Sequence, residues 1–182
     1  MSVYFKYLFQ LILSPSRGWE DISHDGVDPD ELVRRGYYPL TGIMALTEFL
    51  RLLYEPGATV AGVLQRAIAL FCAYFAALFL CRLMLDALLP KVTDGAPSER
   101  RTATLDVMCL GQMVLIAIIG NCIPTGLTLI HFLPVYALLI FYKASRYMAV
   151  RKDSEMNYLV IGLLCVVVVP LGLYWLLSLI LV

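Results

Sequence analysis

Long apolar runs alternate with short polar connections along most of this chain. Five runs approach the roughly 20 helical residues that cross a bilayer core of about 30 Å. The runs are continuous and do not alternate with polar residues, which is typical of buried helices. Because lipid offers the backbone no hydrogen-bond partner, a spanning segment must be a helix or part of a closed barrel. The predicted spans are 36–54, 67–89, 105–123, 127–147 and 158–182.

Basic residues are distributed unevenly among the connections. Arg51 and Arg82 lie inside spans, and all the other Lys and Arg residues except Arg66 fall in three regions. These regions are the N-terminal segment, the connection between the second and third spans, and the junction of the fourth and fifth. With five spans they share one side of the membrane, which the positive-inside rule makes the cytoplasm. The sequence therefore predicts a multi-pass protein with a cytoplasmic N-terminus and a C-terminus outside.

The N-terminal stretch "LFQLILSPSRGWEDI" has three interpretations. A cleaved signal peptide needs an uninterrupted apolar core, and Gln10 breaks this one. As a membrane span, Val3–Leu13 reaches only about 16 Å. Lys6, Gln10 and Arg17 form a narrow polar stripe, which favours an amphipathic helix in the plane of the membrane surface. Trp19 is expected at the headgroup boundary, so Lys6, Arg17 and Trp19 are the candidate interfacial contacts.

The predicted architecture is all-α. Residues 1–35 form a cytoplasmic interfacial helix and an acidic connector, in which Asp28 is suited to cap a helix beginning at Pro29. Residues 1–182 then form a single integral membrane domain, a polytopic protein with five transmembrane helices after the in-plane amphipathic helix. The polar connection before the third span is expected to be a flexible loop.

Charged residues inside the predicted spans form the candidate site. Glu48 and Arg51 lie in the first span and Arg82 and Asp86 in the second, at spacings that let each pair meet on one helix face. A Glu48–Arg82 bridge is also open, because the first two spans are antiparallel neighbours. Such charges either line a substrate or proton path or neutralise each other structurally. His131 in the fourth span joins this candidate cluster, as a proton relay or an interhelical hydrogen-bond partner.

Composition supports the membrane class and argues against several functions. The chain is 60% hydrophobic and 15% charged, whereas soluble domains average about 45–50% and 25%. A formal net charge of zero and the lack of a basic patch with interleaved aromatics argue against a nucleic-acid partner. The five cysteines lack metal-ligand spacing, and no hydrolase, protease or nucleotide-binding motif is present. We therefore expect no enzyme activity, no cofactor and no metal.

Several segments have a recognisable order. A short N-terminal helix ends in "SPSRGWEDI", a polar connector leads to "GYYPLTGIMALTEF", and five spans follow. Together they resemble the bacterial branch of the Yip family, the Ypt/Rab-interacting membrane proteins, over the whole chain. The resemblance implies a five-helix integral membrane protein that acts through membrane or protein contacts. The Leu-Tyr-Gly-Pro element of eukaryotic members is missing, so the resemblance implies neither Rab binding nor vesicle trafficking.

The leading functional hypothesis is a non-enzymatic protein of the inner membrane. It would organise the membrane or bind proteins through its N-terminal helix and cytoplasmic loops, with membrane lipids and other membrane or cytoplasmic proteins as partners. The alternative is a small transporter or channel, alone or as an oligomer, that uses the polar residues within its spans. A lipid-modifying enzyme is a third class, but it needs a nucleophile or metal at the interface, and we find none.

Overall fold

The computed structural model describes residues 2–123 and 132–181. Within them the regular secondary structure is helical, and the extended pairing is an isolated antiparallel bridge between Thr93 and Val150. Three helices among these described residues are long and apolar enough to cross a membrane: Val60–Lys91, Glu99–Cys122 and Lys152–Leu181. The prediction of an all-α chain is confirmed, and the three long helices fit a membrane location.

The N-terminal third of the chain forms a helical hairpin and then a long interrupted helix. Its elements are α1 (Ser2–Leu13), α2 (Pro15–Asp25), α3 (Pro29–Leu32), a π-helical turn (Val33–Tyr37), α4 (Tyr38–Thr47), a 3-10 turn (Glu48–Leu50) and α5 (Arg51–Tyr54). Gly26 ends the hairpin with a φ of +56°, the left-handed conformation that glycine adopts at little cost. Asp28 caps α3 as predicted, because its carboxylate accepts the Asp30 N–H at 3.3 Å.

The described residues after Tyr54 contain the three long apolar helices and one shorter helix. Their elements are α6 (Val60–Leu88) with a 3-10 turn (Leu89–Lys91), α7 (Glu99–Cys122), α8 (Leu133–Lys143), a 3-10 turn (Lys152–Ser154), α9 (Glu155–Gly162), a second π-helical turn (Leu163–Val168) and α10 (Val169–Leu181). Ser98 caps α7, accepting the Arg101 N–H on its side-chain oxygen at 3.4 Å. The helix therefore begins well before residue 105, where the third span was predicted to start.

Helix α7 forms the centre of the molecule. Its residues 102–114 are all buried, and α1, α3, α4, α6 and α8 pack around it. A helix enclosed by protein on all sides needs no polar face, so its sequence looks like that of a lipid-embedded helix. This enclosure fixes the positions of the polar residues that α7 carries.

The N-terminal hairpin packs against α7, which the prediction of a helix lying on the membrane did not include. The Tyr4 side chain fits between Gly36 and Gly111, where a Cβ atom on Gly36 would overlap the ring and one on Gly111 would overlap the hydroxyl. Its hydroxyl donates to the Val107 carbonyl at 3.5 Å. Two glycines are thus needed because the aromatic ring approaches both backbones closely.

Both faces of α1 are apolar. One face is buried in the protein core and consists of Tyr4, Tyr7, Leu8 and Leu11. The other exposes Val3, Phe9 and Leu13. The polar stripe is narrow, as predicted, but protein covers one of the apolar sides. An in-plane helix at the membrane surface therefore stays a prediction.

Two connections are joined at one end of the helices. The Asp94 N–H donates to the Ala149 carbonyl at 2.9 Å, and the Arg151 N–H donates to the Val92 carbonyl at 3.0 Å. These hydrogen bonds pair the connection before α7 with the connection before α9. The first of these segments is therefore attached to the fold, whereas the sequence had predicted a flexible loop.

Arginine side chains attach the hairpin to the same end. Arg100 donates to the carbonyls of Gly26 and Val27, and Arg101 donates to the Tyr147 carbonyl at 3.4 Å. These contacts bring three distant regions of the chain to one polar surface. This surface is termed the basic cap and comprises residues 26–28, 89–101 and 144–154.

Two of the five predicted spans differ from the three long helices. Residues 29–54 are helical without a break over about 39 Å, but their apolar part carries Glu48 and Arg51. Helix α8 is apolar and has only 11 residues, and the predicted start of the fourth span lies outside the described residues. The five-span arrangement therefore stays a prediction.

Candidate functional site

The first predicted charge pair lies at the opposite end of the helices from the basic cap. Glu48 is 2% exposed, and its Oε2 lies 2.9 Å from the Arg51 Nε. The Nε–H is not aimed at that oxygen, so this contact is an ion pair without a hydrogen bond. The Arg51 guanidinium instead donates to the Asn121 Oδ1 at 3.3 Å. The buried carboxylate thus has a counter-ion beside it, as the cost of burying a charge requires.

Further residues extend this pair into a charge-balanced network. The Glu55 carboxylate lies 3.5 Å from the Arg51 guanidinium and 3.1 Å from that of Arg66. The hydrogen bond from Arg66 lowers the pKa of the Glu55 carboxyl, which keeps it ionised. Two carboxylates therefore face two guanidinium groups. The network is termed the ion-pair cluster and comprises Thr47, Glu48, Arg51, Tyr54, Glu55, Arg66 and Asn121.

The second predicted charge pair lies at the basic cap. The Arg82 Nε donates to the Asp86 Oδ2 at 3.1 Å, and its Nη2 donates to the Glu99 carbonyl at 2.8 Å. Glu99 begins α7 and Asn121 lies near its end, so about 33 Å of helix separates the two pairs. The Glu48–Arg82 bridge that the sequence left open does not form, because each charge pairs within its own helix.

His131, the fifth member of the predicted polar cluster, lies outside the described residues. Asp106 is a buried acid that sequence reasoning did not select. It is 3% exposed and lies within the enclosed part of α7. Asp106 lies just inside the predicted start of the third span. Its burial was not predictable, because a charge at a span boundary usually faces water.

The three predicted interfacial residues are placed in different environments. Lys6 and Arg17 are exposed on the hairpin. Trp19 is 2% exposed, its indole N–H donates to the Ile140 carbonyl at 2.9 Å, and its ring stacks on Tyr147 with centroids 5.3 Å apart. Trp19 therefore joins the hairpin to α8. Protein groups satisfy both its N–H and its ring, and a contact of Trp19 with lipid or a partner stays a prediction.

A cleft of about 570 Å³ opens beside Trp19, between α2 and the chain that follows α8. It is termed the Trp19 cleft. Within the described residues, none of its three basic side chains forms an ion pair. The charged residues that line it are Lys143, Arg146, Lys152, Glu20 and Glu155.

From the sequence, the basic residues of the Trp19 cleft predicted only the orientation in the membrane. Arg146 and Lys152 follow α8, whereas Ser16 and Ser23 of the same cleft lie in the hairpin. Contacts between residues more than 100 positions apart, such as Trp19 with Ile140, bring the two regions together. No local motif encodes such a juxtaposition.

Comparisons with known protein families, with curated proteins and with solved structures find no match to this chain. In the part of the chain that the structure describes, no group of His, Cys, Asp or Glu is arranged to hold a metal ion. The ion-pair cluster is closed on itself by opposite charges. The Trp19 cleft is open, and its three basic side chains have no ion-pair partner among the described residues, which suits it to bind an anion.

Proposed function

We propose that this chain is a non-enzymatic integral protein of the inner membrane, similar to the bacterial Yip class. Its basic cap serves as a contact surface that organises the membrane or binds other proteins. The observation that carries the proposal is the joining of three distant regions into one hydrogen-bonded polar surface. An ordered surface presents its side chains at fixed positions, which lowers the entropic cost of binding.

The proposed topology has five membrane-crossing helices, with the basic cap in the cytoplasm and the C-terminus outside. Residues 29–54 form the first crossing, and α8 with the residues before it forms the fourth. The positions of the basic cap and the ion-pair cluster support this arrangement, because opposite ends of α7 contact them. Most unpaired basic side chains then lie on the cytoplasmic side.

Cysteine labelling tests this topology with two matched substitutions. Ala58→Cys lies between α5 and α6, and Ala96→Cys lies in the basic cap. Both are introduced after the exposed thiols Cys72 and Cys122 are replaced by alanine. In spheroplasts, a membrane-impermeant maleimide should label Ala58→Cys directly and Ala96→Cys only after permeabilisation. Labelling of both positions from the same side, or the reverse order, contradicts the topology.

Site-specific photo-crosslinking in cells tests the contact surface. A photoreactive residue at Asp94 or Asp153, both exposed on the basic cap, should give discrete adducts of reproducible mass. The matched controls are Leu53 and Thr59, which are exposed at the opposite end and should give none. If adducts are missing at the cap, or equal at both ends, the basic cap is not the contact surface.

The burial of Glu48 favours a second candidate, a small transporter or channel. A charge that is 2% exposed within a predicted span is typical of proton and ion paths. Protein reconstituted in liposomes with a pH-sensitive dye distinguishes the candidates. A protein-dependent flux that disappears in Glu48→Gln or Arg82→Ala supports transport, whereas the contact-surface proposal expects no such flux.

A further inference from the structure

The Trp19 cleft has an excess of positive charge. Lys143, Arg146 and Lys152 face it without ion-pair partners in the described residues. Of its two acids, Glu155 already accepts a hydrogen bond from the Tyr142 hydroxyl at 3.0 Å. Glu20 is exposed at the cleft. Three cationic groups in one concave site attract an anion and supply several charge-assisted hydrogen bonds.

The start of α2 adds a second feature that favours an anion. Ser16 lies in the first turn of α2 and lines the cleft. Ser14, the N-cap residue, makes no side-chain capping hydrogen bond. Ser14 therefore does not cap the positive end of the α2 dipole, and a phosphate or carboxylate near Ser16 would be favoured by that partial charge.

An apolar surface leads away from the cleft along α8. Tyr136, Leu139 and Lys143 follow the helical repeat, so they lie on one side of α8. Tyr136 and Leu139 are 39% and 43% exposed. The Tyr136 hydroxyl donates to the Ile12 carbonyl, which places the tip of the hairpin, with Leu13 at 86% exposure, beside this surface.

We propose that the Trp19 cleft binds the headgroup of an anionic phospholipid, with its acyl chains on the surface formed by Leu13, Tyr136 and Leu139. This inference rests on the proposed function and names a lipid as the partner of the basic cap. A soluble anion or an acidic peptide would use the cations and leave the adjoining apolar surface uncovered. A phospholipid uses both, because its phosphate is joined to its acyl chains. Lys143 ends the apolar helix α8, so a cation lies next to an apolar surface as a phosphate lies next to acyl chains.

Native mass spectrometry of the purified full chain in a neutral detergent tests the site, with phosphatidylglycerol and phosphatidylcholine as probes. We expect one phosphatidylglycerol to stay bound at concentrations where phosphatidylcholine is lost. Arg146→Gln should weaken phosphatidylglycerol binding about fivefold, the effect of one cation near a lipid phosphate, and Lys143→Gln should do the same. Lys91→Gln removes an exposed cation of the basic cap outside the cleft, and binding should stay within about twofold of wild type.

A variant that removes a negative charge from the cleft makes the test independent of lost stability, because it should strengthen binding. Glu20→Gln removes a repulsive carboxylate from the cleft, so it should bind phosphatidylglycerol several-fold more tightly. Equal retention of the two lipids overturns the proposal. Equal weakening by Arg146→Gln and Lys91→Gln also overturns it, since a general surface charge would then explain the preference.

Soluble competitors separate the sources of the anion. Glycerol 3-phosphate and hexaglutamate should leave the bound phosphatidylglycerol in place at millimolar concentration. Displacement by the first assigns the cleft to a soluble phosphate, and displacement by the second assigns it to an acidic protein segment; either overturns the lipid. The assay in detergent does not depend on membrane orientation. Failure here with intact crosslinks from Asp94 or Asp153 therefore rejects the lipid alone, and the reverse outcome rejects the protein contact surface alone.

Discussion

The charged residues of this protein differ in how strongly stability depends on their ion-pair partners. Glu48 is 2% exposed, whereas Asp86 is 43% exposed. Water solvates an exposed carboxylate when its partner is removed, but a buried carboxylate has only its ion-pair partner. The Glu48–Arg51 and Arg82–Asp86 pairs have similar spacing along a helix, and they differ most in the burial of the carboxylate.

Replacing Arg51 by methionine should lower the free energy of unfolding by about 3 kcal/mol, because Glu48 is left buried without a counter-ion. Arg82→Met, the matched control, should cost about 1 kcal/mol or less, because its pair is partly exposed. Denaturant unfolding in detergent micelles measures both. Equal costs would show that the ion-pair cluster admits water.

Close packing between elements depends on glycine at two places. A Cβ atom on Gly111 would meet the Tyr4 hydroxyl, and one on Gly36 would meet the Tyr4 ring itself. Gly42, in contrast, has open space at its Cβ position. The contact of α1 with α7 is therefore sensitive to single methyl groups.

Gly111→Ala and Gly36→Ala should each destabilise the fold by about 1–3 kcal/mol through overpacking, and Gly42→Ala should not. Tyr4→Phe removes the hydroxyl that Gly111→Ala would hit, so the double variant should recover part of the loss. The same change should not rescue Gly36→Ala, since the ring stays in place. Melting temperatures of the glycine variants, with and without Tyr4→Phe, measure these effects. Equal rescue of Gly111→Ala and Gly36→Ala would contradict the geometry.

A hydrogen bond within the hairpin of α1 and α2 predicts that stability depends on pH. The Tyr7 hydroxyl donates to the Asp25 carboxylate, and burial followed by this bond raises the pKa of Tyr7 from 10.0 to about 12. A group whose pKa rises on folding contributes stability that is complete below the unfolded pKa and is lost as pH rises through the folded pKa.

Unfolding measured from pH 9 to about pH 12 should show this contribution directly. The wild-type protein should lose its advantage over Tyr7→Phe as pH rises above about 10. Tyr38→Phe serves as the control, because in the described residues the Tyr38 hydroxyl has no hydrogen bond. A wild-type advantage that is constant across this range would show that the Tyr7 hydroxyl is not linked to folding.

At the scale of the whole molecule, the long helices expose apolar side chains around a buried protein core. Its two tryptophans report on these two environments, since Trp175 is 65% exposed on α10 and Trp19 is 2% exposed. The exposed apolar residues of α6 and α10 include Phe75, Phe79, Leu176 and Leu179. Such an area exceeds what water tolerates on a monomer and needs lipid or another covering.

Vesicles of brominated phosphatidylcholine should quench the two tryptophans unequally. Trp19→Phe retains Trp175, whose fluorescence should fall strongly because bromine on acyl chains reaches an exposed ring. Trp175→Phe retains Trp19, which should be quenched weakly because the protein encloses it. Similar quenching in the two variants would contradict the enclosure of Trp19 between the hairpin and α8.

Features that depend on residues close in sequence were predicted better than features that depend on residues far apart in the chain. The start of α3 at Pro29 and the spacing within the two charge pairs depend on residues two to four positions apart, which interact through the helix repeat. Trp19, Asp106 and the Trp19 cleft depend on neighbours that are remote in the chain. A hydrophobic run also has the same composition whether lipid or protein surrounds it, so the enclosure of α7 and α1 was not predictable.

The hairpin contacts impose an order on biosynthesis. Tyr4 can bond to Val107 only after 103 more residues have been synthesised, and Trp19 can bond to Ile140 only after 121 more. At about 5–20 residues per second, that is a delay of roughly 5–25 s. During this time α1 and α2 have been synthesised and their partners in α7 and α8 have not. The apolar side chains of the hairpin must therefore be covered by the membrane surface or a chaperone until those helices follow.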